Sequence, residues 1–69
     1  MRISARNVLS AIIKSVSSGA LDCEVVMELA PGIEMESIIS KVSAEKRALK
    51  PGGKVYAIIK APNVMIGLD

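Results

Sequence analysis

The segment Leu21-Asp22-Cys23-Glu24-Val25-Val26-Met27-Glu28-Leu29 decides the fold class. Leu21, Cys23, Val25, Met27 and Leu29 share one parity, while Asp22, Glu24 and Glu28 share the other, broken only by Val26. A period of two describes a strand with one face in a core and the other in water. Outward from it, turn signals cut the chain at short intervals: Ser17-Ser18-Gly19, Ala30-Pro31-Gly32, Lys50-Pro51-Gly52-Gly53 and Ala61-Pro62-Asn63. Short apolar segments between evenly spaced turns point to a small all-β barrel or sandwich.

The flanking segments fit that plan. Ile33–Ile39 alternates, with Ile33, Met35 and Ile39 opposite Glu34 and Glu36. Val55–Ile59 is a continuous apolar run, as for a strand buried on both faces. Asn63–Leu68 places Val64, Ile66 and Leu68 on one side as a last strand. Ser43-Ala44-Glu45-Lys46-Arg47-Ala48-Leu49 favours one or two helical turns, with Ser43 as the cap. The first segment is ambiguous by period, because Val8, Leu9, Ile12, Ile13 and Val16 recur at helical spacing behind Asn7. Its β-branched residues, and the Ser-Ser-Gly turn leading into a clean strand, favour the first arm of a hairpin. The expected order is β-β-β-α-β-β, that of an OB-like five-stranded barrel with one short helix, mainly β, in a single domain over residues 1–69.

Composition narrows the function. With 69 residues, 51% of them hydrophobic, the chain is too short for a generous core of its own. At this size a core yields about 3–5 kcal/mol, and disulfides, metals or oligomerisation normally supplement it. A single cysteine, Cys23, forbids an internal disulfide, and the absence of histidine leaves no set of zinc ligands. Burial between subunits is the remaining route, so a homo-oligomer is expected. Nine Lys and Arg against seven Asp and Glu give a net charge of +2, a weak footprint for nucleic acid. Tyr56 is the one aromatic residue, too few for a base-stacking platform. No apolar run approaches the ~20 residues of a bilayer span. A free cysteine and no visible export signal fit the cytoplasm.

Catalysis is poorly provided for. There is no base to pair with a nucleophile, and Cys23 lies on the apolar face of its strand, where it reads as a core thiol. Asp22, Glu24 and Glu28 read as a solvated face pairing with lysines across the sheet, since their spacing is unlike a calcium loop. What remains is Ser4, Arg6 and Asn7 near the start, Ser40 and Ser43 before the helix, and Lys60 after a strand. Singly, each reads as a cap or a solvated charge. Together they offer hydroxyls, two cations and backbone N–H groups, the equipment for holding an oxyanion.

Several blocks occur in a telling order: Ser4-Ala5-Arg6-Asn7, Gly19-Ala20 before Glu24-Val25-Val26, Ser40-Lys41-Val42-Ser43-Ala44-Glu45, Leu49-Lys50-Pro51-Gly52, and Ile58-Ile59-Lys60-Ala61-Pro62-Asn63-Val64. Over essentially the whole chain this resembles the Mop/TOBE family of molybdenum-pterin-binding proteins, or molbindins. The resemblance implies an OB-like barrel assembled as a hexamer built from dimers. It also implies reversible binding of molybdate or tungstate at subunit interfaces, for storage or homeostasis, without catalysis. By position, Ser4, Arg6 and Lys60 would come from one subunit and Ser40 and Ser43 from its neighbour, with Ala5 and Ala61 giving backbone N–H groups. A second pocket would involve Asn7 or Ser18-Gly19-Ala20. The chain departs from the family at Arg47, where Leu is usual, and at Ala48, where Gly is common. Two other readings stand beside this one: an OB-type nucleic-acid module, which the missing aromatics oppose, and a pure oligomerisation module.

Overall fold

The computed structural model describes residues 6–69, so the expected site residues Ser4 and Ala5 lie outside the described residues. The elements are β1 (Asn7–Ser18), β2 (Asp22–Ala30), β3 (Ile33–Ser40), α1 (Lys41–Lys46), β4 (Lys54–Ile59) and a 3-10 turn over Ala61–Asn63. They form one antiparallel sheet in the order β3-β2-β1-β4, curled into a half-barrel. The long β1 is the hinge of the curl. Its first half, Asn7–Ile12, pairs with β4, and its second half, Ile12–Ser18, pairs with β2. A register shift between Ile13 and Ser15 makes Lys14 the extra residue of a bulge, and bulges bend and twist the strand that carries them.

The first segment is thus a strand. Ala11 and Ile13 on β1 meet Val25 and Met27 on β2 and Ala57 on β4 in the core. Cys23 is buried with them on the predicted face, its Sγ 3.2 Å from the Oγ of Ser18. Leu21 departs from the expected alternation. It precedes β2 and is 80% exposed, because the Ser18–Leu21 turn holds it off the sheet. In β4 only Ala57 is fully buried. Tyr56 and Ile58 face outward, so the strand is not covered on both faces.

Local chemistry places the turns. Ala30 pairs with Ile33 across Pro31-Gly32, with Gly32 at φ +80°. Lys50-Pro51-Gly52-Gly53 closes with Gly53 N–H donating to the Lys50 carbonyl at 3.1 Å and Gly52 at φ +87°. This is type II geometry, with proline first and a residue of positive φ second. The same turn docks on β1 through Ile13 N–H to the Gly53 carbonyl and Gly52 N–H to the Ile13 carbonyl, at 2.9 and 2.8 Å.

The helix starts earlier than its sequence suggests. Ser40, in extended backbone, is the cap, and its Oγ accepts from the Ser43 N–H at 3.1 Å, so Ser43 belongs to the first turn. At the other end Ala48 N–H donates to the Glu45 carbonyl and Leu49 N–H to the Ala44 carbonyl. These two bonds make a Schellman motif, with Ala48 in the left-handed position at φ +49°.

The fifth strand does not form. Val64 to Asp69 belong to no strand, and Met65, Ile66 and Leu68 are 93%, 92% and 96% exposed. The turn over Ala61–Asn63 carries the chain off the end of β4, where no described strand receives it. Among the described residues the sheet therefore has four strands, and the barrel stays open between β3 and β4.

Candidate functional site

The pairing ladder sorts the expected site residues into two groups. Asn7 opposes Ile59, so Arg6 and Lys60, one residue further on each strand, leave the sheet at the same corner, followed by Ala61. Both cationic side chains are exposed there. The second group lies where β1 ends. Ser18 opposes Cys23 and Asp22 opposes Ser40, while Lys41 N–H reaches across to the Leu21 carbonyl at 2.7 Å. Ser40 and Ser43 sit here, beside the Ser18-Gly19-Ala20 turn, which Gly19 N–H pins by donating to the Asp22 carbonyl at 2.7 Å. The two groups stand at opposite ends of a 12-residue strand. Asn7 and Ser18-Gly19-Ala20 are likewise separated along β1, so one chain does not combine them into a single pocket.

Each group has donors to offer. Ser40 Oγ uses a lone pair on Ser43 N–H, which leaves its own proton free to donate. Ser18 Oγ is already engaged with Cys23 Sγ. At the Arg6 and Lys60 corner the charges face water.

Between β3 and β4 the open barrel leaves a cleft of about 470 Å³. Its floor is Val25 and Met27, and its walls include Met35, Ile39, Val55 and Ile59. Glu36, Ser37, Ser43 and Arg47 are the polar residues along its lining, besides the outward-facing Tyr56. The sequence reading had Ser43 but missed the other three as cleft residues. Ser37 shares its parity with Met35 and Ile39, which was signal enough to put it on the inner face. Arg47 follows α1, where its Nη1 donates to the Ser43 carbonyl at 3.3 Å, a placement that spacing alone did not show. A second, smaller cleft of about 400 Å³ lies between Ser10–Ile12, Glu28–Leu29 and Lys54–Tyr56. Among the described residues no cluster of acidic or sulfur ligands suits a metal ion, and no helix is long and apolar enough to cross a membrane.

The acidic strand face behaves as its period suggests. Glu28 and Glu34 are directly opposed across β2 and β3, and the bulged Lys14 bridges them at 3.2 and 3.4 Å. Hydrogen bonding to Glu28 and then Glu34, with their negative charge, raises the Lys14 pKa above its ordinary value.

Comparisons with known proteins agree with this architecture. The TOBE domain model matches residues 3–66. Molybdenum-pterin-binding protein 3 of Clostridium pasteurianum is 44% identical over 66 residues, spanning 96% of this chain and 97% of that protein. A molybdate-binding protein from Sporomusa ovata superposes with a TM-score of 0.91 at 34% identity, over 99% of this chain and 100% of the other. The cytoplasmic molybdate-binding protein ModG, in a form with molybdate bound, superposes with a TM-score of 0.93 at 39% identity, over all of this chain and 49% of that one. A curled antiparallel sheet with one short helix, shared at these identities over nearly full length, leads to one assignment: the chain belongs to the TOBE domain family, alongside the molybdenum-pterin-binding proteins.

Proposed function

We propose that this chain is a single oxyanion-binding domain, residues 1–69, that takes up molybdate or tungstate between subunits of a homo-oligomer and releases it unchanged. The observation that carries this reading is the separation of the donors. Arg6 and Lys60 share one corner, Ser40 and Ser43 lie at the far end of β1, and only a second copy can bring one group to the other. Similarity to proteins described as molybdate-binding supports the choice of anion. The proposed site comprises Ser4, Ala5, Arg6, Lys60 and Ala61 from one subunit and Ser40 and Ser43 from its neighbour, with Asn7 or Ser18-Gly19-Ala20 serving a second pocket. A hexamer, and a role in intracellular storage or homeostasis, complete the proposal.

The chemistry suits the ligand. Molybdate at neutral pH is a tetrahedral dianion whose oxygens only accept hydrogen bonds. N–H and O–H donors match it without moving protons, and bonds to a charged partner are roughly twice as strong as neutral ones. Two cations balance the two charges, and exclusion of water at an interface strengthens each contact. Sulfate has the same charge and shape but is smaller, so discrimination rests on pocket size. This is the equipment of a binding protein rather than a catalyst.

Isothermal titration calorimetry tests the proposal. Molybdate should bind with measurable heat and equimolar sulfate should not, while Lys60→Ala should weaken molybdate at least tenfold with the oligomer intact. Absence of oxyanion binding by the assembled protein would overturn the proposal.

A further inference from the structure

The two donor groups differ in charge. Arg6 and Lys60 give one corner two cations, whereas Ser40 and Ser43 bring only hydroxyls to the other. Asp22 stands directly opposite Ser40 in the ladder, so the hydroxyl end also carries an acid. A dianion held there gains from positive charge on the same side. We propose that Arg47 supplies it, as a third cation of the oxyanion site delivered by the subunit that gives Ser40 and Ser43. The inference rests on the oxyanion reading and adds a residue to it.

The local geometry brings Arg47 to these hydroxyls. Ser43 and Arg47 are four residues apart, and Arg47 continues the turn of α1 at φ −91° and ψ 0°, so they share a face. Helical side chains lean toward the preceding turn, and this one does: its Nη1 donates to the Ser43 carbonyl at 3.3 Å. Ser43 N–H in turn donates to Ser40 Oγ at 3.1 Å, which links the three residues in series. Ser43 and Arg47 both line the cleft between β3 and β4, while Lys41 and Lys46, the other cations of α1, do not.

The guanidinium is available as well as near. The ion pairs among the described residues are those of Lys14 with Glu28 and Glu34, so neither Glu36 on the cleft lining nor Glu45 on α1 neutralises Arg47. Its bond to the Ser43 carbonyl occupies one N–H of the fork, and the side chain is exposed, leaving further donors to face a ligand. A guanidinium keeps its charge at any ordinary pH, and its N–H groups suit acceptor-only oxygens.

Titration calorimetry on the assembled full chain tests this role. Arg47→Gln should weaken molybdate about tenfold, the scale of one hydrogen bond to a charged group. Added NaCl should also weaken molybdate less steeply in that variant than in the parent, because one charge fewer is being screened. Arg47→Lys keeps the charge and should bind better than Arg47→Gln. Unchanged affinity in Arg47→Gln, an unchanged salt dependence, or Arg47→Lys binding no better than Arg47→Gln would overturn the assignment. A residue that only caps the helix would lower Tm and leave the salt dependence as it was. The parent protein gives an independent readout, with Arg2 and Arg6 the only other arginines. The Nε–H resonance of Arg47 should shift on adding molybdate, and a resonance that stays in place at saturation would equally overturn the role. If the parent takes up molybdate and these tests fail, Arg47 alone leaves the site; a parent that binds no oxyanion overturns the oxyanion reading and this inference with it.

Discussion

Three residues show what single positions contribute. Ala48 occupies the left-handed position of a Schellman motif, where a Cβ costs roughly 1–2 kcal/mol and glycine avoids it. Allowing for glycine's extra freedom when unfolded, Ala48→Gly should stabilise the chain by about 1 kcal/mol. In a domain of this size that is a rise of ~4–8 °C in Tm, readable by differential scanning calorimetry. Lys14 stands between two glutamates that would otherwise face each other, so Lys14→Gln should lower Tm, most clearly at low salt. Because the folded state raises the lysine pKa, this contribution is complete below the ordinary lysine value of 10.5 and fades as pH climbs through the raised one. The Tm gap between Lys14→Gln and the parent should therefore close in strongly alkaline buffer. A gap unchanged by alkali would mean that Lys14 acts through packing of its stem.

Among the elements, the helix and its flanking turn show how position follows from hydrogen bonding. Ser40 ends β3 and caps α1 with one side chain, so its truncation tests two roles at once. Ser40→Ala should cost about 1 kcal/mol through the lost cap and also weaken anion binding, whereas Ser40→Thr should keep both. Thermal melts and titrations on the pair would separate cap from ligand. Gly52 anchors the type II turn that docks on Ile13, and Gly52→Ala should cost about 1 kcal/mol or more because φ +87° is closed to alanine. Gly32 faces the same constraint in the hairpin joining β2 and β3.

At the scale of the whole molecule, the open half-barrel governs stability. Among the described residues seven hydrophobic side chains are buried, while a larger set of apolar ones faces outward, so one copy has little core of its own. Tm should accordingly rise with protein concentration, as it does when association stabilises the folded state. Molybdate should raise it further, by an increment that sulfate fails to reproduce at equal ionic strength. A Tm independent of both would detach stability from assembly and from the ligand.

Much of this was legible in the residues because it depends on neighbours in sequence. The parity of Cys23, Val25 and Met27, the Pro-Gly turns and the exposed acidic face follow from backbone periodicity and φ preferences, which act over a few residues. The blocks around Arg6, Ser40 and Lys60 pointed to a family for the same local reason. Other features needed distant partners. Whether Ser40 or Ser43 caps the helix depended on where β3 stops pairing with β2. The alternation of Asn63–Leu68 promised a strand, yet a strand requires an edge to bond, and among the described residues the curled sheet brings no edge to this segment. Likewise, the sequence supplied both groups of proposed anion donors, and only the tertiary ladder showed that β1 holds them apart. The sequence by itself determined the elements and the chemical groups they carry; the tertiary structure decided which groups meet, because pairing and burial are contacts across the fold.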